Sequence, residues 1–114
     1  MDLSYTSDDR LTEAEYDLLK KDHCKKVYPF FVCLYRQAPH AKLGIISAKK
    51  SIRLAVDRNR CRRIIRESFR LHKHQLMCQV IIIVRYTAVQ ANNADLFKCL
   101  DQFWHFVTES SVCH

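Results

Sequence analysis

The chain has 114 residues, 48% of them hydrophobic, with 19 Lys and Arg against 12 Asp and Glu and a net charge of +7. That length holds one domain with a real core, and the hydrophobic fraction excludes a disordered chain. The charge favours an anionic partner. No apolar run approaches the ~20 residues that span a bilayer, and the acidic, polar start excludes an ordinary secretory signal.

Residues 1–10 read as a loose polar arm. Thr12 and Glu15 then form a capping box, which predicts a short helix through about Lys21. Residues 26–36, KVYPFFVCLYR, are aromatic and β-branched and read as a strand with Pro29 near its start. Residues 37–41 make a turn containing Pro39, and 42–48, KLGIISA, read as a second strand that holds Gly44, the only glycine. A basic connection over 49–57 ends at Asp57, which is expected to cap a helix from about Arg58 to about His74. Residues 79–86, QVIIIVRY, form a continuous apolar run of the kind buried on both faces of a sheet. Asn93 is expected to cap a last helix over about 94–108, with Leu96, Leu100, Phe103 and Val107 on one face and Trp104 in the core. The residues therefore give helix, two strands, helix, strand, helix. The fold class is α/β (α+β): a single-domain α-β sandwich, αβββαβα-like, with a core over about 11–108, a sheet of three to four strands and a central Arg-rich helix.

Charge is concentrated rather than spread. Residues 1–22 are net −4, residues 23–75 net +12 and residues 76–114 net −1. Six arginines fall within the thirteen positions 58–70. Arg58, Arg62, Arg66 and Arg70 recur at i+4 and form one stripe, with Asn59 and Arg63 beside it. Cys61, Ile64, Ile65, Ser68, Phe69 and His72 make the opposite face. Like charges at i+4 cost a few tenths of a kcal/mol each, a standing cost that folding alone does not explain, and Glu67 offsets part of it by pairing with Arg63 or Arg70. A generic charge run is usually a solvated face. Here acidic interleaving is sparse, and arginine suits bidentate phosphate contacts and stacking on bases better than lysine does. With Lys49, Lys50 and Arg53 just upstream, the segment reads as a nucleic-acid-binding surface.

The segment Arg58-Asn59-Arg60-Cys61-Arg62-Arg63-Ile64-Ile65-Arg66-Glu67-Ser68-Phe69-Arg70 closely resembles the signature of the bacterial ribonuclease P protein component, R-N-R-x-(K/R)-R-x-x-R-E-x-F-R. Leu43 to Lys50 is similar to the family's R-x-G-x-x-x-(S/A)-K-K strand, and Ala55-Val56-Asp57 to its usual lead-in. The likeness covers roughly residues 11–108. It implies a protein that binds a large catalytic RNA and helps it remove the 5′ leader from precursor tRNA. The RNA carries the chemistry with bound Mg2+, about one protein sits on each RNA, the protein is otherwise monomeric in the cytoplasm, and no membrane is involved. It also implies a left-handed βαβ crossover, against the usual preference. By position, Arg58, Asn59, Arg60, Arg62, Arg63, Arg66 and Arg70 would face the catalytic RNA, with Lys49, Lys50 and Arg53 adding phosphate contacts. The leader would lie in a cleft between the first helix and the sheet, against Tyr16, Lys20, Phe30, Val32, Leu34 and Arg36. The last four are assigned to one strand face because an arginine does not face a core. Two positions depart from the family pattern. Lys20 stands where a second aromatic is frequent, and Met77-Cys78-Gln79 replaces a proline and an aspartate.

Other chemistries find little support. His72 and His74 diverge near a helix end, and no clustered carboxylates suggest a protein nuclease. His23-Cys24 and Cys113-His114 lack a second pair at zinc spacing, so neither a catalytic nor a metal-ligating set is assigned. The six cysteines read as reduced thiols of a cytoplasmic protein. The rival to a processing subunit is a general RNA-binding module of ribosomal type. A helix-turn-helix is disfavoured because the arginine helix is flanked by strands.

Overall fold

The structure is a computed structural model that describes residues 9–110. Its elements in chain order are α1 (Glu13–Lys21), β1 (Cys24–Val27), β2 (Phe31–Gln37), β3 (Lys42–Ile46), α2 (Ala55–His72), β4 (Cys78–Val84) and α3 (Asn93–Ser110), with short 3-10 turns at Lys73–Gln75 and Tyr86–Gln90. The four strands form one sheet in the order β1-β2-β4-β3. Neighbours run antiparallel except β3 and β4, which are parallel and joined through α2. That βαβ unit is the one to which the expected left-handed crossover applies.

Local chemistry explains the element boundaries. The capping box at α1 is complete, with the Thr12 side chain accepting from the Glu15 N–H and the Glu15 side chain accepting from the Thr12 N–H. The single strand expected over 26–36 is two strands. Pro29 has no N–H to give a ladder, and the Tyr28 N–H donates to the Phe31 carbonyl at 2.8 Å, closing a hairpin. Helix α2 starts three residues earlier than expected. Its N-cap is Leu54, without a side-chain cap bond, so Asp57 sits inside the first turn and acts there by charge alone. At α3 the cap is Asn92, whose Oδ1 accepts from the Asp95 N–H at 2.8 Å, and Asn93 is left for another use.

The polar start is tied down where it is described. Arg10 bridges Leu43 of β3, and the Lys73 ammonium meets the Asp9 carboxylate at 2.9 Å. The expectation of a loose arm therefore fails at Asp9 and Arg10, while residues 1–8 lie outside the described residues.

The sheet separates two unequal cores. On one face α2 and α3 pack over Phe31, Cys33, Tyr35, Val80, Ile82 and Val84, with Ile65, Phe69, Leu100, Phe103 and Trp104 above them. Trp104 is buried as expected, and its indole N–H donates to the Ser68 hydroxyl at 2.7 Å, which accounts for a serine on the apolar side of α2. On the other face α1 covers a smaller cluster of Leu11, Leu19 and Ile81, edged by Tyr16, Leu34, Ile46 and Ile83. Strand β4 is consequently apolar on both sides. Cys33, Cys61, Cys78 and Cys99 are buried free thiols. Burial raises each of them, Cys78 to about 11. Cys113 lies outside the described residues.

Candidate nucleic-acid interface

Helix α2 buries Cys61, Ile64, Ile65, Ser68 and Phe69, the face its spacing predicts, and so turns its arginines toward the β3 edge and solvent. Asn59 and Arg63 are exposed, as are Lys49, Lys50 and Arg53 on the connection before the helix. That connection is held by Ile52, which is buried and whose N–H donates to the Ala48 carbonyl at 2.9 Å, leaving the two lysines outside.

The stripe itself is not bare. Arg58 donates to the carbonyls of Ile52 and Arg53 at 2.8 and 3.0 Å. Arg62 donates to the Ser47 hydroxyl at 3.3 Å, and Arg70 pairs with Glu67 rather than leaving it to Arg63. The Arg70 hydrogen bond holds the Glu67 carboxyl below the ordinary carboxylate range. Of these acceptors only Glu67 carries a counter-charge to set against the like-charge cost expected from the spacing. Arg60 differs most from its expected role. Its guanidinium donates to Asn93 Oδ1 at 2.7 Å and to the carbonyls of Ala88, Val89 and Ala91 at 3.1, 3.2 and 3.1 Å.

The second surface lies under α1. Strand register places three rows across this face of the sheet: Arg36, Gln79 and Lys42; then Leu34, Ile81 and Gly44; then Val32, Ile83 and Ile46. Tyr16 lies on Gly44 so closely that a Cβ built there would stand 2.3 Å from the tyrosine oxygen. The only glycine in the chain is thus required by a close approach. Tyr16 is half-buried, and the Lys20 ammonium stands 5.8 Å from its ring centroid, so the lysine in place of a second aromatic covers the first. A cleft of about 240 Å³ opens beside this ring, lined by Arg10, Tyr16, Gly44, Arg62 and Arg66.

Glu15 fastens α1 to the first row. Its carboxylate accepts from the Thr12 N–H at 2.8 Å, from Lys42 Nζ at 3.2 Å and from Gln79 Nε2 at 2.9 Å. The Thr12 N–H first, then Lys42, holds its carboxyl below the usual range. Gln79, where the resemblance led to an expected aspartate, thus donates to Glu15, a bond that an ionised carboxylate in its place could not make.

Of the residues expected in the cleft, only Tyr16 lines it; Val32, Leu34 and Arg36 share the α1 face of the sheet but stand on β2, across β4 from the cleft, and Lys20 lies over the Tyr16 ring. Phe30 does not belong with them. It precedes β2 in the hairpin and packs against the larger core on the opposite side, because the turn at Pro29 breaks the alternation used to place it. The spacing of residues also missed Glu15, Gln79 and Lys42, which meet only once the strands are in register. The capping box pointed to Glu15, but nothing local pointed to its partners.

Residues 7–107 match the Ribonuclease P family. The ribonuclease P protein component of Photobacterium profundum is 37% identical over 108 residues, which span 85% of this chain and 92% of that one. The corresponding protein of Aliivibrio fischeri is 36% identical over 104 residues, 89% of each chain. Among solved structures, a Staphylococcus aureus RNase P protein mutant with defective mRNA degradation activity superposes with a TM-score of 0.79 at 27% identity, covering 93% of this chain and 91% of that one. The Thermotoga maritima RNase P protein, at 23% identity and a TM-score of 0.72 over 83% of this chain and 94% of that one, shares the fold.

Proposed function

The chain belongs to the ribonuclease P protein family, whose known function is tRNA 5′-end processing, and from that premise we propose how its two surfaces divide the task. It is a subunit of an endoribonuclease holoenzyme and a partner of the ribonuclease P RNA. The catalytic RNA runs along the α2 edge, where Lys49, Lys50, Arg53, Asn59 and Arg63 offer exposed donors. Arg58 and Arg70, each already engaged inside the protein, add charge to this edge rather than free bidentate forks. The 5′ leader of precursor tRNA enters the cleft under α1 as a single strand. The Tyr16 ring takes a base there, a contact of ~1–3 kcal/mol. Leu43, Gly44 and Ile45 of β3 line the cleft on the sheet side, and Lys20, Arg36, Val32 and Leu34 extend the surface beyond it across the α1 face of the sheet, the two cations toward phosphates.

One observation carries this division. Arg62 and Arg66 belong to the α2 stripe and also line the cleft beside Tyr16. A leader leaving the catalytic RNA passes from one surface to the other without crossing an uncharged gap, so the protein can orient the strand on both sides of the scissile bond. The bond itself is hydrolysed by the RNA with its Mg2+. Among the described residues no group of three or more His, Cys, Asp or Glu side chains could hold a metal, and no step is assigned to a protein-held ion. We place the protein in the cytoplasm, one copy per RNA. No helix among the described residues is long and apolar enough to cross a membrane.

The test mixes the protein with bacterial ribonuclease P RNA and precursor tRNA at low Mg2+ and follows leader release. RNA-dependent stimulation, lost for mature tRNA competitors that lack a leader, is expected. Tight RNA binding without stimulation would leave a general RNA-binding module. Cleavage by the protein alone would return the chemistry to its side chains.

A further inference from the structure

Arg60 is the third residue of the Arg58–Arg70 signature, yet its guanidinium faces into the protein. Its four acceptors belong to two elements that are distant in sequence from α2: the 3-10 turn Tyr86–Gln90 with its exit, and the first residue of α3. Nη1 is taken by Asn93 Oδ1, and Nη2 shares its two protons among three carbonyls. A guanidinium has five donors in a planar fork, and here both terminal amino groups point at protein oxygens. A phosphate taking the two terminal amino groups as a fork would have to displace these acceptors. The three carbonyls would then lose their donor in a part-buried place.

We infer that Arg60 is a positioning residue: it locks the first turns of α2 to the joint between β4 and α3, and so sets the angle at which Asn59 and Arg63 meet the catalytic RNA. The inference rests on the proposed RNA-binding edge. It assigns the two neighbours of one motif opposite duties. Asn59 is outside and Arg60 inside, because successive helix positions are turned by about 100°. Lysine cannot replace Arg60, since a single ammonium has three donors and no fork. Asn93 becomes part of the same lock although it lies outside the arginine segment and is exposed at the start of α3.

The experiment measures binding of the full chain to ribonuclease P RNA across a salt series, at a temperature where circular dichroism shows every variant folded. The variants are Arg60→Ala, Arg60→Lys, Asn93→Ala and Arg63→Ala. Arg60→Ala and Arg60→Lys are expected to weaken binding by about fivefold while leaving the salt slope unchanged, as reorientation of coupled neighbours predicts. Asn93→Ala should do the same more weakly. Arg63→Ala, which removes a phosphate contact, should reduce the slope by about one. A slope reduced by about one in Arg60→Ala, with Asn93→Ala inert, would overturn the inference in favour of direct contact. Unchanged affinity in folded Arg60→Ala, beside only a lower Tm, would also overturn it, since the residue would then hold the fold and nothing more. An unchanged slope in Arg63→Ala would instead sink the RNA-binding edge on which the inference rests.

Discussion

The two faces of the sheet are built to different standards. One lies under two 18-residue helices and seals Phe31, Cys33, Tyr35, Val80, Ile82 and Val84 from water. The other lies under a nine-residue helix that buries one residue of its own, Leu19. On that side Val32 and Ile83 are only half-buried, and Val27, at the end of the same row, is 56% exposed. The sealed face supplies cohesion, so the open face can leave apolar and cationic groups uncovered for a ligand. A domain of this size gains most of its stability from one core, and the second need only be good enough to place a helix.

The largest effect that would test this division is on the sealed face. Trp104→Ala should lower unfolding stability by ~3–5 kcal/mol, through the cavity and the lost bond to Ser68, read from denaturant midpoints. A loss below 1 kcal/mol would mean that the two faces share the work more evenly. On the open face, Tyr16→Ala should cost ~1–3 kcal/mol of precursor tRNA affinity and little stability, while sparing mature tRNA. Equal losses for both RNAs would reduce Tyr16 to packing. Arg63→Ala should leave the melting temperature in place and flatten the salt dependence of RNA binding by about one unit of slope; a shifted melting point would show that the α2 edge is structural after all.

The smallest effect concerns Glu15. Its carboxyl is lowered in the folded protein, so its contribution is present above the ordinary carboxylate value of 4.5 and is lost as pH falls through the lowered value. Its partners are partly solvated, which keeps the contribution under about 1 kcal/mol. Glu15→Gln should remove this acid-side loss in urea titrations at pH 3 to 6. An identical pH profile in the variant would place the stability of α1 elsewhere.

Much of this was readable from the chain. The capping box at Thr12, the apolar run 80–84 and the apolar face of α2 each follow from periodicity or a local bond, and each is where the spacing puts it. The exposed Asn59 and Arg63 were legible for the same reason. The failures are all non-local or single-atom choices. Phe30 was misplaced because one proline turned a long strand into a hairpin. Asn92 and Asn93 offer the same cap chemistry, and the choice between them depends on Arg60, 33 residues away from Asn93. The composition of the arginine run could not say which guanidinium points inward, because that depends on carbonyls supplied by the turn after β4.

The fastening of α1 carries a consequence for motion. It is held by bonds that close long stretches of chain: Glu15 to Gln79 and, just before the helix, Asp9 to Lys73, each 64 residues apart. Contacts of such separation form late in folding, after the loops between them have been closed. With one buried side chain of its own, and despite its long-range clasps, α1 is expected to open more readily than the α2–α3 layer. The amides of α1 should therefore exchange with solvent well before those of α2 and α3, and a strand seated in the cleft should slow them. The helix that forms one wall of the cleft would then double as its door, opening on a timescale set by local unfolding rather than by the rate of the reaction it serves.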